Sequence, residues 1–171
     1  MAKYRTAILN LTHPVKVSGY YIDEFIELVS YVLINKFQLA RPIHIEFKPT
    51  KSCQRASGEY IACGDPEYPY KPDIDKVIVC TQHHYRDVLR LIVHELKHVE
   101  QNHSKIYPSE YQLHREYIES KALFKDRSIH RKKEKEAREC ELSTVLEFEE
   151  WQKLNGTYIK HPYNYVVPIE R

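Results

Sequence analysis

The segment from 88 to 102 constrains the fold more than any other part of the chain. Val88, Leu89, Leu91, Ile92, Val93, Leu96 and Val99 recur at helical spacing and form a broad apolar face. A helix this apolar must be packed against other structure, yet it carries His94, Glu95 and His98 in its second half. Polar groups in such surroundings are costly unless they have partners. The chain holds ten histidines, so coincidence has to be weighed. The apolar context, directly after a predicted strand, argues against it.

Residues four apart on a helix share a face, with Cβ atoms about 6 Å apart. Two imidazoles so placed can reach one metal ion at the roughly 2.0–2.1 Å that zinc requires. Glu95 flanks such an ion rather than binding it, and can accept a proton from a water molecule activated there. His94-Glu95-Leu96-Lys97-His98 therefore reads as an H-E-x-x-H zinc motif. His94 and His98 are the expected metal ligands, Glu95 the expected catalytic base and Zn2+ the expected cofactor. The corresponding reaction is hydrolysis of a peptide bond in a protein or peptide substrate.

The surrounding pattern predicts an α+β domain. Ile22, Phe25, Ile26, Val29, Val32 and Leu33 mark a helix over 22–37, with Asp23 and Glu24 at its N-terminal end. After Pro42, Ile43, Ile45 and Phe47 alternate with polar residues as in a half-buried strand. A second short strand is expected over 59–63, and the β-branched run 76–81 reads as a central strand covered on both faces. Beyond the H-E-x-x-H helix, Ser109 can cap a helix over about 110–125, and a last helix spans roughly 129–153 before Asn155-Gly156. The tail, 155–171, is expected to lie extended over the rest. The resulting order is one helix, a small three-stranded sheet, then three helices, in a single domain over 1–171.

Composition narrows the partners. Lys and Arg number 26 against 24 Asp and Glu, a net charge of +2, which gives no overall field to draw in nucleic acid or an anionic membrane. The basic run from Arg127 to Lys135 could touch phosphates, so nucleic acid is a weakly supported partner. The acids at 134, 136, 139 and 141 favour a salt-bridge-laced surface helix instead. No apolar run approaches a membrane span, and the N-terminal residues lack the apolar stretch of a secretory signal. A cytoplasmic location without membrane association is the expectation. Cysteines stand at 53, 63, 80 and 140 without a C-x-x-C pair. They are expected to be free thiols, although the spacing allows a pair such as Cys53 with Cys63.

Two histidines do not complete a catalytic zinc site, which takes three protein ligands. The metzincin pattern fails, because Gln101 stands where glycine is needed and Ser104 where the third histidine is needed. His114, Glu136, Glu119 and Glu134 are the remaining donors. The position of His114 is similar to that of the third histidine in SprT-like peptidases, which act on DNA-bound proteins. His103, Tyr111, Tyr117 and His130 are candidate oxyanion stabilisers.

VHELKHVEQ followed by Glu134-Lys135-Glu136-Ala137 resembles the small gluzincin-type zinc peptidases, or minigluzincins, which are often phage-encoded or regulatory. The resemblance covers roughly 42–150 and implies a zincin-like fold. It implies His94 and His98 as ligands, Glu95 as base and Glu134 as third ligand. Ala137, three residues later, would let the two metal-bearing helices approach closely. It also implies that substrate peptide adds as a strand beside the sheet, with 58–63 as the edge. Arg138 departs from the family pattern, which has Asp or Asn there to hydrogen-bond a ligand histidine. The rival reading is a SprT-like or degenerate zinc-bearing scaffold that acts on or binds DNA, DNA-bound proteins or regulatory proteins.

Overall fold

The computed structural model of the chain describes residues 1–49, 57–62, 74–108 and 127–170. In chain order the elements are β1 (Lys3–Asn10), β2 (Pro14–Tyr21), α1 (Asp23–Asn35), β3 (Ile43–Lys48), β4 (Gly58–Ile61), β5 (Asp75–Cys80), α2 (Tyr85–His103) and α3 (Ser128–Asn155). The strands make one five-stranded sheet in the order β1-β2-β3-β5-β4. The central β2, β3 and β5 run parallel, while β1 and β4 pair antiparallel at the two edges. The fold is α+β, with a mixed sheet and three helices among the described residues.

The sheet has five strands and not the expected three, and a hairpin rather than a helix begins the chain. The reason lies in where the apolar residues of β1 point. Tyr4 and Ile8 are more than 60% exposed, whereas the alternate residues Arg5, Ala7 and Leu9 are only half-buried. A period-two pattern with its large apolar groups in solvent gives almost no strand signal. In β2, Val15 and Val17 are buried but Ser18-Gly19 interrupts the run, and glycine inside a strand reads as a break. The strand over 75–80 also differs in detail. It is central, yet Val77 and Val79 are buried while Lys76 and Ile78 on the other face are half-buried. Lys76 spends that face on an ion pair with Glu46 at 2.6 Å.

The helices α1 and α2 cover one face of the sheet. Val17, Ile45, Phe47, Val77 and Val79 meet Phe25, Leu28 and Val32 of α1 and Leu89, Ile92, Val93 and Leu96 of α2 in one apolar core. The outer side of α2 packs on α3, where Ala137, Val145 and Phe148 are fully buried. Thus α2 is buried between sheet and helix, and the polar atoms of its H-E-x-x-H segment must find partners inside that sandwich. The helix expected over 110–125 lies outside the described residues. Gly156, with φ 73°, takes the left-handed conformation that ends α3. From there the chain runs back over the start of α2: Tyr85 N–H donates to Tyr165 O at 2.7 Å, and Ala2 N–H donates to Pro168 O at 2.7 Å. Among the described residues no helix is long and apolar enough to cross a membrane.

The expectation of four thiols is overturned, because Cys80 is disulfide-bonded while Cys140 is free. The antiparallel β4–β5 pair sets Cys80 beside Ser57, with Cys80 N–H donating to Ser57 O at 2.8 Å, although the two are far apart in sequence. Cys53 and Cys63 lie outside the described residues. Disulfides persist in oxidising compartments, so a disulfide at Cys80 runs against the expected cytoplasmic location.

Candidate metal centre

His94 and His98 project from α2 toward α3 and meet Glu134. His98 Nε2 lies 2.9 Å from Glu134 Oε1, His94 Nε2 lies 3.3 Å from Glu134 Oε2, and the two Nε2 atoms are 3.1 Å apart. Three electron-rich atoms this close repel one another unless a proton or a cation lies among them. Four ligands arranged tetrahedrally at zinc distances stand about 3.3 Å apart. The two imidazole nitrogens and the carboxylate therefore fit zinc in both chemistry and spacing. Glu134 reaches them because Ala137, one turn on, is fully buried and adds no bulk between the helices.

The far sides of both rings are held. With Nε2 turned toward Glu134, His94 Nδ1–H donates to Glu141 Oε1 at 2.7 Å, and Glu141 also pairs with Arg90 at 3.1 Å. His98 Nδ1–H donates to Gln101 Oε1 at 2.9 Å. The Gln101 amide is itself fixed, its Nε2 donating to Lys133 O and to Glu136 Oε2, each at 3.0 Å. Such partners set the tautomer and aim of a ligand histidine. Burial holds His98 below the usual imidazole range, which keeps its ring neutral and able to ligate.

Sequence reasoning missed Glu141 and Gln101 in these roles. Arg138 does occupy the position where a carboxylate or amide was wanted, but Glu141 supplies the acceptor one turn further along α3. The signals were present: Glu141 is seven residues from Glu134 and so on the same helical face, and Gln101 is three residues past His98. Of the other proposed third ligands, Glu136 is committed elsewhere, accepting from Gln101 and from Tyr107 Oη at 2.5 Å. His114 and Glu119 lie outside the described residues.

Glu95 reaches the sheet edge in the cleft that His94 also lines. It is 5% exposed, and burial, reinforced by the negative charges of Glu134, Glu59 and Glu141, pushes its carboxyl up to about 8. Positive charge held at the three converging donors would draw it down again. Its oxygen lies directly beneath Gly58, the first residue of edge strand β4: a methyl group built on Gly58 would stand 2.6 Å from Glu95 Oε1. Ser57, Gly58, Arg90, His94, Glu95 and Glu141 line a cleft of about 410 Å³ there.

The edge strand is fixed to α2 by a buried polar cluster. Tyr60 Oη donates to Asp75 Oδ2 and accepts from Asn102 Nδ2, both at 2.8 Å. Burial, with the Asp75 charge beside it, raises the Tyr60 hydroxyl well above the ordinary phenol range, so it stays a donor. Asp75 also pairs with Arg41 and His103. His103 is consumed here: its side chain is fully buried, with Nδ1 accepting from Ala40 N–H at 3.0 Å. That removes it from the candidate oxyanion stabilisers. Tyr111 and Tyr117 lie outside the described residues, and His130 lines a second cleft beside Glu134.

No family model, curated protein or solved structure matches this chain.

Proposed function

We propose that the chain is a zinc-dependent peptidase with a zincin-like arrangement of edge strand, H-E-x-x-H helix and ligand-bearing second helix. One observation carries the reading: His94, His98 and Glu134 converge within 4.8 Å while Glu95, one residue from a ligand, is buried against the edge strand. A zinc ion held by these three side chains would supply Lewis-acid activation of a water molecule and of a carbonyl group.

The remaining chemistry belongs to the chain. The Glu95 carboxylate takes a proton from the attacking water and returns it to the departing amine nitrogen. Its burial excludes bulk water, so the proton is not lost to solvent. Glu141 and Gln101 hold His94 and His98 in the ligating tautomer. Among the described residues β4 has no neighbour on its outer side, and its free backbone groups suit an extended peptide added as a further strand. Such a peptide would pass over Gly58, the one residue type that leaves room for Glu95 below.

Metal analysis and a single substitution test this. Protein purified without added metal is expected to contain one zinc per chain and to cleave an unstructured protein such as casein. Glu95→Gln should keep the zinc and lose turnover by at least about 100-fold. Retained activity in that variant would take Glu95 out of the mechanism, and absence of bound zinc in the parent would end the reading.

A further inference from the structure

The basic N-terminal half of α3 is not the salt-bridge-laced surface that its sequence suggests. Its acids are used inward: Glu134 faces the two histidines, Glu136 binds Gln101 and Tyr107, and Glu141 binds His94 and Arg90. Only Glu139 is left, pairing with Lys135 at 3.7 Å. Arg131 and Arg138 are both exposed, and neither has an ion-pair or side-chain hydrogen-bond partner among the described residues. At about 100° per residue they lie roughly 60° and 40° around the helix from Glu134, on its solvent side. Both line the cleft of about 540 Å³ that Glu134 also lines. Whatever approaches Glu134 from this side meets two guanidinium groups that have no counterion among the described residues.

We propose that this cleft selects acidic peptide segments, with Arg131 and Arg138 binding the carboxylates of the substrate beside the cleaved bond. The proposal rests on the peptidase reading and names its substrate class. Guanidinium groups match carboxylates by two parallel hydrogen bonds. The two arginines are about 10 Å apart along the helix axis, the length of about three residues of extended chain. Peptide is favoured over nucleic acid because Glu139 and Glu134 interrupt the basic face, which would repel a continuous row of phosphates.

The test is binding, read without turnover. Fluorescence anisotropy of the zinc-loaded Glu95→Gln protein is measured with a labelled decapeptide carrying Glu at alternate positions, and with its Gln-substituted counterpart. The Glu peptide is expected to bind about five- to thirtyfold more tightly, from two exposed ion pairs. The preference should disappear in the Arg131→Gln/Arg138→Gln double variant. It should persist in the Arg131→Lys/Arg138→Lys variant and in a Lys160→Gln control for net charge. Equal affinity for the two peptides, or a preference that survives the double glutamine variant, overturns the proposal. So does an oligonucleotide of the same length that binds more tightly than the Glu peptide and loses affinity in the same variant. If the wild-type protein cleaves neither peptide while the preference and its loss both stand, the selectivity holds and the hydrolytic reading falls. Cleavage of both peptides without preference has the opposite meaning.

Discussion

Gly58→Ala is the sharpest probe of how the edge strand and the base are related. In an exposed strand this change is ordinarily neutral or mildly stabilising, because alanine loses less backbone entropy than glycine on folding. Here the new methyl group would lie 2.6 Å from Glu95 Oε1, 2.9 Å from Glu95 Cγ and 2.8 Å from Leu91 Cδ1. Ordinary van der Waals contact begins near 3.4 Å, so the Glu95 carboxylate and the strand must separate by about 0.8 Å. Glu95 cannot swing clear cheaply, since it is buried between β4 and the two histidine-bearing turns of α2. A misplacement approaching 1 Å at a reacting group costs up to about 100-fold in rate. The expected result is a 10- to 100-fold fall in kcat with zinc content unchanged. Thermal denaturation should show a small change in Tm, because strand entropy and local crowding oppose each other. Full kcat in a folded, zinc-loaded Gly58→Ala protein would refute the placement of Glu95 beneath β4 as the reason for a glycine there.

Three further outcomes follow from the site. Glu134→Ala should lose zinc on dialysis while Glu136→Ala retains it, since only Glu134 faces both histidines; loss in His114→Ala but not in Glu134→Ala would replace the gluzincin-type reading with the SprT-like one. Glu141→Ala should weaken zinc binding about 10- to 100-fold by releasing His94, measured by competition with a chromophoric chelator, and an unchanged affinity would make Glu141 merely a partner of Arg90. With Cys80 in a disulfide and Cys140 free, thiol titration of the unfolded protein should count two before reduction and four after it. Burial pushes the Cys140 thiol up to about 11, so in the folded protein it should alkylate slowly at pH 8; four fast thiols without reductant would exclude the disulfide.

The parts of the fold written in regular period were legible. The helix over 88–102, the strand after Pro42 and the long last helix follow from spacing alone, because each buries a consistent apolar face. The hairpin β1–β2 was not legible, because Tyr4 and Ile8 face solvent and the strand's inner positions hold Arg5 and Ala7. The burial of His103 against Asp75 depends on which elements lie side by side, and no spacing encodes that. His94, Glu95 and His98 announce themselves within five residues. Gln101, which holds His98, lies on the same helix, but Glu134 and Glu141 come from α3 and Gly58 from β4, and only tertiary structure brings those there.

The acids of α3 show why a charge pattern is ambiguous until a helix is oriented. With Glu134 as origin and about 100° per residue, Ala137, Thr144 and Phe148 fall in an arc from about 280° to 320°, all of them buried. Glu134 and Glu141 sit at one border of that arc, near 0° and 340°, where they reach the histidines of α2. Glu136, near 200°, sits at the other border, where it reaches Gln101 and Tyr107. Only Glu139, near 140°, faces outward. Read as a linear string, these four acids neutralise the neighbouring lysines and arginines. Read around the axis, three of the four are turned to the helix interface, and Arg131 and Arg138 beyond the Glu134 border are left without counterions among the described residues. The assembly of the candidate metal centre and the exposure of Arg131 and Arg138 beside Glu134 thus have one cause, the rotation of α3 that buries Ala137 against α2. Any substitution that turned this helix, such as a large residue at Ala137, would disturb both together.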